Sequence, residues 1–101
     1  MNPARGTTGT RWQAGTEPLQ VTLYGKSGCH LCDDAEAALG RLGADLPMSV
    51  TKLDILSDPM LFERYRYRIP VVAVAGDVLA EGKVTEFRLR VACAERGWLS
   101  E

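Results

Sequence analysis

Apolar and polar residues alternate from Leu19 to Tyr24, with Leu19, Val21 and Leu23 set against Gln20 and Thr22. That period of two predicts a β-strand with one buried face. Gly25 then releases the chain. From His30 to Leu42 the period changes. Leu31, Ala35, Ala38, Leu39 and Leu42 recur at helical spacing and predict an amphipathic helix. Asp33, Asp34 and Glu36 load its first turns with negative charge, which the helix dipole favours, and Gly43 is placed to cap it. Met48 to Ile55 carries apolar residues on both faces, which predicts a buried parallel strand after the helical crossover.

Asp58-Pro59 reads as an N-cap followed by proline at the first helical position, opening a short helix to about Tyr67. Ile69-Pro70 opens a third strand, Val71 to Ala75. Proline has no N–H to give a ladder, so it belongs at a strand start. Gly76-Asp77 signals a hairpin turn, Val78 to Glu81 a fourth strand, and Gly82 its end. A last helix, Thr85 to Arg96, is expected to bury a stripe of Phe87, Val91, Ala94 and Trp98 before Gly97 stops it. Cys93, small and apolar, is expected inside.

Strand, helix, strand, helix, hairpin and helix make an α/β chain. A right-handed crossover sets the first two strands parallel, and the hairpin adds an antiparallel pair. The expected architecture is a four-stranded mixed sheet with helices on both faces, formed by residues 19–101. Residues 1–18 are rich in Gly and Thr without hydrophobic period, and are expected to be a flexible leader.

The 101 residues suffice for one domain with a modest core. Twelve basic and thirteen acidic side chains leave a net charge of −1. That balance implies neither a nucleic-acid footprint nor a polybasic membrane patch. No apolar run reaches the length of a membrane span, and the first residues lack the apolar centre of a secretory signal. Three cysteines, an odd count without framework spacing, point to a reducing, cytoplasmic setting.

The chemistry concentrates at Gly25-Lys26-Ser27-Gly28-Cys29-His30-Leu31-Cys32, where a strand ends and a helix begins. Residues three apart are neighbours on a helix, so the two sulfurs can approach bonding distance. Cys29 falls at the helix N-terminus, where free N–H groups and the dipole favour a thiolate by up to ~2 kcal/mol. The thiolate is the nucleophile. Lys26, upstream, and His30, between the pair, add positive character, while Asp33 and Asp34 oppose it. Cys29 is therefore the expected attacking sulfur, and Cys32, inside the helix, acts second.

Other uses of the pair are open. A closed zinc site needs four ligands, and the chain's three cysteines and one histidine supply them only with His30 lying between two of the cysteines and Cys93 far away in sequence, so no metal site within one chain is expected. Two exposed thiolates could instead hold a metal or iron–sulfur cluster across a dimer. A non-catalytic adaptor could use the basic–aromatic run Arg64-Tyr65-Arg66-Tyr67-Arg68. That run reads either as cations at a helix end or as a patch for an acidic partner.

These residues resemble the thioredoxin superfamily and, within it, the glutaredoxin-like family of short bacterial proteins. The resemblance rests on Tyr24 to Cys32, on Ile69-Pro70-Val71-Val72 and on Gly76-Asp77, and extends from residue 19 to about 98. It implies a thiol–disulfide oxidoreductase with Cys29 attacking and Cys32 resolving. It implies a cis-proline at Pro70 beside the pair, with the Ile69 backbone turned toward substrate. Lys26 matches a basic residue near the glutathione site. Arg68 stands where glutathione-binding members carry Thr, and Glu81-Gly82-Lys83-Val84 replaces their Gly-Gly and polar pair. No bound cofactor is implied. The expected partners are a disulfide-containing protein or small thiol and an external reductant, either glutathione or a thioredoxin-type reductase. The expected state is a monomer, with no nucleic acid or membrane among its partners.

Overall fold

The computed structural model describes residues 17–99. Most of the expected leader, residues 1–18, lies outside that range. The element order is β1 (Leu19–Gly25), α1 (His30–Leu42), β2 (Met48–Asp54), a turn of 3-10 helix (Ile55–Ser57), α2 (Pro59–Tyr65), β3 (Val71–Val74), β4 (Asp77–Glu81) and α3 (Glu86–Glu95). One sheet runs β2-β1-β3-β4. β1 pairs parallel with β2 and antiparallel with β3, and β3 pairs antiparallel with β4. The expected α/β architecture is present.

The two faces of the sheet are filled by alternate residues, as a period of two requires. Val21 and Leu23 of β1, Val72 and Val74 of β3 and Ala80 of β4 pack with Ala35, Ala38, Leu39 and Leu42 of α1 and Leu89 and Cys93 of α3. On the opposite face Tyr24, Val71 and Val78 pack with Ile55, Leu61, Phe62 and Tyr65 around α2. Caps fix the helix starts. The Asp58 carboxylate accepts the Met60 N–H at 2.9 Å, and the Thr85 hydroxyl accepts the Arg88 N–H at 3.1 Å.

The structure corrects several expectations. β2 is parallel to β1, as expected, but it is an edge strand and not a buried one. Every residue after Met48 is exposed, Val50 and Leu53 included. Position in the strand order decides this, because β1 and β3 fill the interior and β2 has a neighbour on one side only. Ile55, taken with the strand in sequence, starts the 3-10 turn and is buried there. The hairpin turn is Ala75-Gly76, not Gly76-Asp77. Both residues have positive φ (52° and 86°), as a two-residue turn of the right hand needs, and Asp77 pairs with Val74.

α3 buries a different face from the expected one. Leu89, Ala92 and Cys93 face the core, while Phe87 is 74% exposed and Val91 is exposed. Residues two apart on a helix point about 200° apart, so Phe87 and Leu89 cannot share a face. Leu89 and Cys93 join the core cluster, and ion pairs to the α1 region accompany that orientation. Glu86 accepts from Arg41 and Arg90 at 3.0 and 2.9 Å, and Arg90 also reaches Asp45. Cys93 is buried as expected, and burial raises its thiol pKa against the opposing pull of Arg96 and Arg90.

Candidate functional site

The turn between β1 and α1 places the two cysteines at the C-terminal end of β1, one of the sheet's two inner strands. Gly28 turns at φ 73°, a conformation glycine adopts without steric cost. Cys29 follows in extended conformation as the N-cap of α1. Its Sγ accepts the Cys32 backbone N–H at 3.1 Å. The Asp33 N–H donates to the Cys29 carbonyl at 3.1 Å, closing the first helical turn. A sulfur in the N-cap role thus receives one of the free N–H groups of the helix start, the arrangement that stabilises negative charge there.

Cys29 and Cys32 lie at disulfide distance with Cα atoms 5.2 Å apart, within the range a disulfide spans. Cys29 is half-buried, whereas Cys32 is 6% exposed. The pair is therefore graded, with one sulfur reachable and the other sheltered. The shelter is built partly by an absence. A Cβ placed on Gly25 would lie 3.1 Å from the Cys32 Sγ. Gly25 ends β1, and its missing side chain is the space against which the sulfur packs. Its role was invisible in sequence, where it reads only as a strand terminator.

A cleft of about 440 Å³ opens beside Cys32 on the β2 side. Lys26, Ser27, Asp33, Glu36, Lys52 and Asp54 line it. Lys26 is exposed at its mouth, and Lys52 is held by both Glu36 oxygens at 3.1 and 3.2 Å. His30 is not drawn into the site. Its side chain is 89% exposed and lies 3.7 Å from Asp34, one helical turn on.

The Ile69-Pro70 peptide is cis, and Pro70 is fully buried. Register places it at the dithiol end. Tyr24 pairs with Val71, so Pro70 continues β3 alongside the Gly25 end of β1. The Gly82 N–H bridges the Arg68 and Pro70 carbonyls at 3.1 and 2.9 Å. Arg68 adds a bidentate bond to Glu81, with Nη2 to Oε1 at 2.7 Å, and this lowers the Glu81 carboxyl pKa. The segment before Pro70 is thereby tied to the end of β4. The expectation for Ile69 is narrowed. Its N–H donates to the Tyr65 carbonyl at 3.1 Å and is not free.

Sequence reading also missed an aromatic stack under this corner. Tyr24 and Tyr65 stack with ring centroids 4.4 Å apart and planes inclined by 27°. Burial, then the Tyr65 hydroxyl, raises the Tyr24 pKa. Among the described residues, no group of three or more His, Cys, Asp or Glu converges as around a metal ion. Among the same residues, no helix is long and apolar enough to cross a membrane.

Gly25 gives the site a testable feature. Its φ lies outside the left-handed region, so alanine can adopt the backbone. The added methyl lies 3.1 Å from the Cys32 sulfur and 3.3 Å from its Cβ, and rotation of a freed thiol relieves the first of these contacts. Overpacking costs ~1–3 kcal/mol. Since 30 mV corresponds to about 1.4 kcal/mol for two electrons, Gly25→Ala is expected to raise the pair's reduction potential by roughly 20–60 mV. Equilibration of wild type and variant in glutathione buffers measures the difference.

A mixed sheet with helices on both faces and a Cys-x-x-C at the start of its first helix defines a thioredoxin-like fold. The chain belongs to the glutaredoxin-like domain family (DUF836), whose model matches residues 20–92. A solved protein from X. campestris, XcR50, is 32% identical with a TM-score of 0.66, covering 74% of this chain and 96% of its own. Ne2328 from Nitrosomonas europaea is 28% identical with a TM-score of 0.64, covering 83% of this chain and 94% of its own. A malarial protein at 14% identity and TM-score 0.57, covering 78% of this chain and 97% of its own, shares the fold. No curated protein matches the chain.

Proposed function

We propose that the protein is a thiol–disulfide oxidoreductase working through Cys29 and Cys32 in a reducing compartment such as the cytoplasm. The observation that carries this reading is the Cys29 sulfur, reachable, seated as the N-cap and accepting the Cys32 N–H, with a second sulfur at disulfide distance.

The Cys29 thiolate attacks one sulfur of a substrate disulfide. An S–S bond forms to Cys29, the substrate S–S bond breaks, and the departing thiolate takes a proton. The sheltered Cys32 thiol then gives up its proton and attacks the Cys29 sulfur. The second substrate thiolate leaves and is protonated, and Cys29–Cys32 is linked. Two electrons have passed from the dithiol to the substrate. The Cys32 N–H favours Cys29 as a thiolate both when it attacks and when it is released on re-reduction. Pro70 and the Ile69 carbonyl border the substrate's approach, and among the described residues Lys26 places a lone unpaired cation on the otherwise acidic cleft. His30 acts, at most, through its charge at the helix start. Glutathione or a thioredoxin-type reductase regenerates the dithiol.

The fully reduced protein is expected to consume one equivalent of a small disulfide such as hydroxyethyl disulfide and to end with Cys29 and Cys32 linked. Free-thiol counting and peptide mapping check both statements. No consumption, or oxidation at Cys93 instead, would remove the proposal.

A further inference from the structure

We infer that the surface from Arg64 to Arg68 docks an acidic segment of a disulfide-bearing protein, and so selects among the substrates of the thiol–disulfide reaction on which this inference rests.

Six of the ten Lys and Arg side chains among the described residues are held by a hydrogen-bond acceptor, Arg88 and Arg96 by the Lys83 and Ala92 carbonyls. Arg41, Lys52, Arg68 and Arg90 each sit on a carboxylate. Arg64 and Arg66 form no ion pair among the described residues, and Glu63 beside them joins none either. Aromatic rings hold these arginines instead. The Arg66 guanidinium lies 4.6 Å from the Phe62 centroid and 4.7 Å from that of Tyr67, itself 86% exposed. Arg64 and Arg68 lie over Tyr65 at 5.9 and 5.2 Å. A guanidinium stacked on a ring keeps its N–H edge free for a bidentate carboxylate and loses less freedom on binding.

The place matters as much as the charge. Tyr65 stacks on Tyr24, the residue before Gly25, and Arg68 is two residues before Pro70. The patch therefore borders the dithiol on the β3 side. The β2 side is acidic, with Asp33, Glu36 and Asp54 in the cleft beside Cys32 and Asp34 exposed nearby. There Lys52 is held by Glu36, and Lys26 is the remaining cation. Cys29 thus sits between a cationic flank and an anionic one. A short acidic segment satisfies the first and avoids the second. A nucleic-acid strand, charged along its whole length, would meet both.

The test uses two matched peptides, one with four Asp and one with four Lys beside a cysteine blocked as a disulfide with the same chromogenic thiol. Fields of this kind change association rates by about tenfold or more. Wild-type protein in low salt is expected to release the chromophore from the Asp peptide about tenfold faster. The two rates should converge in 1 M salt, where the screening length falls to about 3 Å. In the R64E/R66E variant the preference should invert, and in R64Q/R66Q it should vanish. Equal wild-type rates, or an Asp preference that survives both variants, overturn the docking surface alone. Release from neither peptide overturns the thiol–disulfide reading and the docking with it.

Discussion

Replacing Cys29 by serine is expected to slow disulfide reduction by at least about a thousandfold, on the scale seen when a covalent nucleophile is removed. The hydroxyl fills the same N-cap position and can accept the same Cys32 N–H, so the helix start is preserved. What disappears is the thiolate. Cys32 is a poor replacement, because it is 6% exposed and its sulfur packs against Gly25. Stopped-flow reduction of a chromogenic disulfide, with circular dichroism to show that the fold is intact, gives the factor. A Cys29→Ser protein reacting within tenfold of wild type would place the nucleophile elsewhere.

The second large effect concerns stability. Leu89→Ala removes a side chain with no exposed surface from the core between α3 and the sheet. Truncations of this kind cost ~2–5 kcal/mol. Domains of this size are held by only ~5–15 kcal/mol, so much of the margin goes. Phe87→Ala removes a larger side chain from the same helix, yet it should change stability by no more than about 0.5 kcal/mol because that ring is exposed. Urea titrations of the two variants and wild type separate the faces. If the Phe87 variant proved the weaker, the orientation of α3 described here would be wrong.

The Phe87 and Leu89 pair also shows what the sequence could and could not convey. β1 and α1 were readable because each offers one apolar face. Leu19, Val21 and Leu23 alternate cleanly, and Ala35, Ala38, Leu39 and Leu42 recur on one stripe, although Leu31, expected with them, is exposed and Cys32 is buried instead. α3 offers two apolar stripes, one through Phe87 and Val91 and one through Leu89 and Cys93. Which one turns inward depends on the core and on pairings with Arg41 and Asp45 from distant parts of the chain. β2 fails for a similar reason. Its composition suits burial, but its place at the sheet edge is a property of strand order, which no local pattern carries.

The site divides along the same line. Cys29 and Cys32 are marked by local spacing and residue type, and the place of Pro70 beside them comes from the family resemblance. Gly25 as a seat for sulfur, Glu81 as the partner of Arg68, and Tyr65 beneath Tyr24 exist only once β1, β3, β4 and α2 meet. The basic–aromatic run divides in the structure. Arg68 serves the fold by tying the segment before Pro70 to β4, while Arg64 and Arg66 stay free of carboxylates among the described residues.

The most direct single measurement is the mass of a Cys32→Ser protein after mixing with a disulfide-linked peptide. With the resolving sulfur gone, the account predicts one stable adduct per chain, mapped to Cys29 and released by reductant. An unmodified protein, or an adduct carried by Cys93, would contradict it.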